Sequence, residues 1–241
     1  MRTAPLSAEP DPTRDRMKAL SAKAWRGLGI LALTMAVILF GAAGTIAYWQ
    51  AWAYLAAFFV PAISITLYLI ENDPALLERR ANAGPTAEKE PAQKVIMSLA
   101  MIGFIGLITV PALDHRFDWS TVPVNLVLIG DLMVILGFYL VFLVYKENSF
   151  SSATIEVAPD QKVISTGPYA VVRHPMYAGS LPMLIGIPLA LGSYWGLLAL
   201  AAMMPALIWR LLDEERFLAK NLPGYRDYCA KVRSRMIPGV F

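Results

Sequence analysis

The sequence predicts an all-α polytopic membrane protein with about six transmembrane helices, the last two forming a helical hairpin. Three observations predict it. Charged residues make up 16% of the 241-residue chain, against about 25% in an average soluble domain. Residues 27–70 contain no Asp, Glu, Lys or Arg, and a soluble fold of this size cannot hide so long an apolar run. Finally, of the 21 Lys and Arg residues only Arg116 falls on one side of the resulting arrangement. The positive-inside rule assigns the crowded side to the cytosol.

The elements follow in chain order. Residues 1–26 are polar, carry prolines and mixed charges, and lack the apolar core and cleavage site of a signal peptide. They are expected to form a disordered cytosolic tail. Helices at 27–47 and 52–70 are separated by the interfacial "YWQ" at 48–50, and two more are expected at 95–112 and 123–145. Between them, "LIENDPALLERRANAG" (69–84) is an amphipathic connector with a helix-start signal at Asn72, Asp73 and Pro74. Segment 146–175, "KENSFSSATIEVAPDQKVISTGPYAVVRHP", shows a β-like patch at 154–157 and turns at Pro159-Asp160 and Gly167-Pro168. The block 176–212 breaks at "LGSYW" (191–195) into two shorter helices. The first, of about 16 residues, is roughly 24 Å long and barely spans, with Pro182 and Pro188 to kink it. The organisation expected is thus a tail (1–26), four transmembrane helices (27–145) and a module (146–241) that includes the hairpin 176–212. Six crossings place both termini in the cytosol, with the cell inner membrane as the expected location.

Several chemistries are disfavoured by composition. Cys229 is the only cysteine and His115 and His174 the only histidines, which argues against a disulfide, a Cys cluster and a His-based metal site. The polar connections all lie on one side, unlike the paired halves of a transporter. No Gly-x-Gly-x-x-Gly or P-loop occurs. The basic C-terminus (Lys231, Arg233, Arg235) comes with no nucleic-acid-binding fold signal.

The candidate site residues cluster at the two ends of the hairpin. His174-Pro175 suits a helix start, whose free N–H groups and dipole favour an anionic or carboxylate-bearing ligand, and Arg173 adds a fixed positive charge. Arg210 and Glu214 are four apart on the returning helix and share a face, with Asp213 and Glu215 beside them. A hairpin brings these two groups to one membrane depth, close to Tyr169 and Tyr177. Glu147 and Asn148, at the cytosolic end of the fourth helix, are within reach. Asp131, inside that helix, is assigned a structural pairing, and His115 is placed in an outer loop without a chemical role.

"GPYAVVRHPMYAG" (167–179), then "DEERFL" (213–218) and "GYRDYCAKVRSRMIP" (224–238), resembles the isoprenylcysteine carboxyl methyltransferase family. That family consists of integral membrane enzymes that use S-adenosylmethionine and are related to phospholipid methyltransferases. The resemblance covers about 146–241. It implies cofactor contacts at Gln161, Lys162, Val163, Ile164, Tyr169, His174, Pro175, Met176, Tyr177 and Glu214, with Thr154 at a further position. The eukaryotic enzymes have histidine where Gln161 stands. It implies a substrate contact from Arg210; together with the placement of the hairpin ends, the expected catalytic residues are Arg210, Glu214 and His174, and the expected substrate contacts Arg210, Arg173 and Asn148. The implied reaction is methylation of a lipophilic membrane acceptor, a prenylated cysteine carboxylate or a related lipid, with no metal and no nucleic acid. Phospholipid-type N-methylation and an NADPH-dependent sterol-type reductase are the alternatives, followed by a non-catalytic scaffold.

Overall fold

The computed structural model describes residues 12–240. Eight α-helices form it: α1 (Pro12–Ala43), α2 (Trp49–Asn72), α3 (Pro74–Arg80), α4 (Pro91–Phe117), α5 (Val124–Glu147), α6 (Pro175–Ala190), α7 (Trp195–Asn221) and α8 (Tyr225–Lys231). Five of them (α1, α2, α4, α5 and α7) are long and apolar enough to cross a membrane. Their outward faces carry large apolar side chains, among them Leu33, Val60, Ile102 and Leu132, each more than 60% exposed. Lipid covers such surfaces at no hydrophobic cost.

Sequence and structure differ at several places. Residues 12–26, expected as a disordered tail, continue helix α1, and Arg16 and Lys23 anchor this extension to Glu78 (2.8 Å) and Asn82 (2.6 Å). Residues 1–11 lie outside the described residues. The β-like patch at 154–157 lies in irregular chain, and no strand occurs among the described residues. Helix α6 has 16 residues and stays below spanning length, whereas α7 has 27 and ends at Asn221 rather than 212. Arg210 through Glu215 therefore lie inside a helix. The connector at 69–84 does start a helix: Asp73 caps α3 by accepting from the Leu76 amide at 3.0 Å, with Pro74 in the first turn.

The helices alternate in direction, so the turns 44–48, 118–123 and 191–194 gather at one end. There Asp114 is buried and accepts from the Ser120 amide (2.7 Å), the Ser120 hydroxyl (2.6 Å) and the Ser193 hydroxyl. Tyr48 donates to the Leu191 carbonyl and stacks on His115 with ring centroids 4.0 Å apart. His115 thus belongs to the last turn of α4, not to the outer loop. These bonds tie all three turns together and close this end.

Close packing follows the glycines. A Cβ on Gly130 of α5 would meet the Ala190 amide nitrogen at 2.3 Å, and one on Gly186 of α6 would meet the Gly130 carbonyl at 2.6 Å. Gly137 and Gly179 repeat the arrangement one heptad away. Small residues let membrane helices approach until their backbones touch. Helix α6 therefore pairs with α5, and α7 pairs with α4. The two helices expected to embrace as a hairpin meet closely at their turn, where Gly196 packs on Pro188.

Candidate functional site

Because α6 follows α5 and α7 follows α4, a space remains between α6 and α7 at the end opposite the closed one. It is a cavity of about 560 Å³, within the roughly 300–1,000 Å³ typical of small-molecule sites. Residues 150–156 and 161–164, the start of α6, and α8 wall its polar part. Met97 and Phe104 of α4, Met183 and Leu184 of α6, and Met203 and Leu207 of α7 wall its apolar part. The polar part stands at the helix ends, and the apolar part runs into the depth of the bundle.

The structure brings the sequence-predicted residues together. Asn148, Gln161, Lys162, Val163, Ile164, Tyr169, Arg173, His174, Pro175, Met176, Tyr177, Arg210 and Glu214 all border this one cavity, as does Thr154. Glu147 does not border it and instead accepts from the Thr166 hydroxyl. That contact fixes the turn before Tyr169, where Gly167 has φ +54 and a Cβ would stand 2.7 Å from Glu147 Oε2. Asp131 lies elsewhere, in the α5 interior, with one carboxylate oxygen lacking a hydrogen-bond partner among the described residues.

Phenols and carboxylates organise the polar wall. Tyr177 donates to Glu214 Oε2 at 2.7 Å and has Arg210 as its other polar neighbour. The Asn148 amide donates to the Tyr169 hydroxyl at 2.8 Å, and Tyr228 donates to the Tyr169 carbonyl at 2.7 Å. Burial pushes the Tyr169 hydroxyl up to about 12, and it raises those of Tyr225 and Tyr228 as well. All three are therefore neutral donors near neutral pH. Tyr225 borders the cavity, but its hydroxyl is buried away from it, with Cys229 one helical turn on as its neighbour.

The amides of Arg173 and His174 donate to the carbonyls of Ser234 and Arg235 at 2.9 Å each. The C-terminal segment thus caps this corner, leaving the Met176 and Tyr177 amides as the helix donors without intrahelical partners. Arg210 finds its ion-pair partner outside its own helix. Its guanidinium lies 2.8 Å from Glu88 Oε1 and donates to Gln93 Oε1 and the Ala153 carbonyl at 3.0 Å each. Gln93 in turn donates to Asp213.

Arg173 is committed too. Glu215 pairs with Arg173 and Arg235 at 2.8 Å each and lies 3.3 Å from His174 Nε2. The carbonyls of Val232 and Arg233 take the rest of the Arg173 guanidinium at 3.1 Å. Glu215 is therefore the knot that ties the start of α6, helix α7 and the C-terminal segment behind the cavity wall. Sequence reasoning missed Glu88, Gln93 and the role of Glu215. Glu88 sits in "TAEKEP" (86–91), which reads as solvated surface; only the chain reversal between α3 and α4 turns it inward. Among the described residues no group of three or more His, Cys, Asp or Glu side chains is placed to hold a metal ion.

Residues 126–223, from α5 through the end of α7, match the phospholipid methyltransferase family. No curated protein matches the chain. The matched stretch holds most of the cavity wall, and the five apolar helices make this an integral membrane protein with a segment similar to phospholipid methyltransferases.

Proposed function

We propose that this protein methylates the headgroup carboxylate of a lipophilic acceptor that reaches the site from the membrane, with S-adenosylmethionine as the donor. One observation carries the reading: a single cavity joins a polar compartment at the helix ends to an apolar compartment between α4, α6 and α7. Such a shape suits a polar cofactor meeting an acceptor with a hydrocarbon tail. In this reading both termini and the polar compartment face the cytosol, and 146–241 is the catalytic module.

The residues present fit the donor. The amides of Met176 and Tyr177, which have no intrahelical partners, can donate to its carboxylate. Glu214 can take its amine or a ribose hydroxyl, and Gln161 and Lys162 stand at the rim beside them. Tyr169, Tyr177, Val163 and Ile164 can wall the adenine and the sulfonium, where cation–π attraction contributes about 0.5–2 kcal/mol per ring. Once bound, S-adenosylmethionine supplies a methyl group already activated by the positive sulfur.

The chain's own contribution is alignment and exclusion of water. Arg210 borders the cavity where the two compartments join and can orient the acceptor carboxylate. His174, buried between Glu215 and Tyr177, positions the corner rather than transferring a proton. A carboxylate oxygen forms the new C–O bond as the C–S bond breaks onto sulfur. No proton moves, so no general base is required. The products are a neutral ester and a neutral thioether.

A second reading, N-methylation of an amine headgroup, is favoured by the Glu88–Arg210 pair, which leaves Arg210 already neutralised. It also accords with the family match. A methyl-labelled donor and extracted membrane lipid distinguish the two. Label released by mild base identifies an ester and supports carboxyl methylation, whereas base-stable label identifies an N-methyl group. Titration calorimetry that shows NADPH binding and no S-adenosylmethionine binding overturns both in favour of a reductase.

A further inference from the structure

We propose that Glu88 is the internal counter-ion of the acceptor site: it holds Arg210 between turnovers, yields it to an anionic headgroup, and reclaims it once methylation has removed the headgroup's charge. The inference rests on the carboxyl-methylation reading above.

Glu88 lies just after the 3₁₀ turn Pro85–Ala87 and ahead of α4, in a connector whose neighbours are largely solvated, yet its side chain is 1% exposed. Of the groups bonded to the Arg210 guanidinium, Glu88 carries the negative charge, since Gln93, the Ala153 carbonyl and the Tyr177 phenol are neutral; Glu214 acts on it from beyond Tyr177. The neutral groups fix where the guanidinium points. Glu88 supplies the compensation without which a buried guanidinium costs several kcal/mol.

The counter-ion is also placed so that it can leave. Glu88 is carried by the short connector between α3 and α4 and holds the 149–156 wall only through the Ile155 amide, at 3.3 Å. The same wall is held independently: Arg79 donates to the Ser149 carbonyl, Arg80 to the Ser152 carbonyl at 2.9 Å, and Lys89 pairs with Glu156 at 3.2 Å. Release of Glu88 therefore does not dismantle the cavity.

The charges then give direction to the cycle. An arriving carboxylate must share or take the guanidinium from Glu88, because two anions on one cation repel in a poorly solvated site. Conversion to an ester removes that charge, the competition ends, and Glu88 recovers Arg210 as the product departs. Glu88 is thus a positioning residue that sets which headgroup charge the site retains.

Two measurements test this on the full-length protein in detergent with S-adenosylhomocysteine present. The first compares binding of a long-chain alkylthioether carboxylate and its methyl ester to wild type and Glu88→Gln. The carboxylate is expected to bind the variant about 10-fold tighter or more, with ester and S-adenosylhomocysteine affinities unchanged. Equal or weaker carboxylate binding by the variant overturns the role of Glu88.

The second uses wild type alone, so it does not depend on the variant folding. Amide hydrogen exchange across 84–90 should rise when the carboxylate binds and stay level with the ester. No rise with the carboxylate overturns the proposal. Wild type that binds S-adenosylhomocysteine but neither probe refutes the acceptor assignment, and with it this role. Absence of S-adenosylhomocysteine binding refutes the methyltransferase reading itself.

Discussion

At the closed end of the bundle, Asp114 is buried among short polar side chains and receives three hydrogen bonds from Ser120 and Ser193. At the other end, Glu88, Glu214 and Glu215 are also withdrawn from water, but they face guanidiniums and phenols around a cavity. Both ends bury acids, and at the second they stand around a cavity of about 560 Å³. Burial of charge does not by itself mark a site. At the closed end each donor is spent on joining one turn to another, which yields rigidity. At the open end the polar groups are fixed on their far sides and leave their near sides toward a hollow, which is the arrangement of a preorganised binding site.

Asp114→Ala should have the largest effect, and it should fall on the fold. Removing the acceptor strands several buried donors, at about 1–3 kcal/mol each. The detergent-solubilised protein should melt well below wild type, while cofactor affinity per folded molecule is retained. A normal melting temperature would mean the closed end is not the clamp described here.

Glu214→Gln should do the reverse. A hydrogen bond to a charged group contributes about 1.5–3 kcal/mol, so cofactor affinity should fall roughly 10- to 100-fold. The unliganded melting temperature should hardly change. Thermal shift with and without S-adenosylmethionine reads both quantities, and an undiminished ligand-induced shift would remove Glu214 from the site.

Tyr169→Phe should have the smallest effect, and it should fall on the open end. It deletes the hydroxyl bonded to the Asn148 amide and leaves the aromatic wall in place. Loss of one neutral hydrogen bond, about 1 kcal/mol, predicts a several-fold weaker cofactor affinity. The same variant allows a pH test. Burial raises the Tyr169 pKa from 10 to about 12, so any stability tied to its neutral form is intact below pH 10 and is lost as pH rises toward 12. Wild type should therefore lose more stability than Tyr169→Phe between pH 10 and 12.

Much of the architecture can be read directly from the chain. The apolar runs, their breaks at "YWQ" and "LGSYW", and the sorting of Lys and Arg specify a helical membrane protein with its polar connections at one end. The extension of α1 into the N-terminal segment was masked by the charges and prolines of residues 1–26, although Leu20 and Ala24 lie four apart and pack on Leu69, Leu76 and Leu77, with Glu78 and Asn82 holding the charged side. Local sequence likewise favours an extended patch at 154–157, but no neighbouring strand is there to pair with it. The residues of the cavity wall were legible as a motif. Their charge partners were not.

The sequence by itself determined that the chain enters a membrane, where its helices break and which residues gather near the site, since each follows from local hydrophobicity, turn chemistry or motif. Tertiary contacts alone set the pairing of α6 with α5, the ion pair between Arg210 and Glu88, and the docking of the C-terminal segment on the start of α6. The reason is physical. Backbone contact through opposed glycines and neutralisation of a buried guanidinium depend on distances between segments far apart in the chain, and no local pattern of residues encodes those distances.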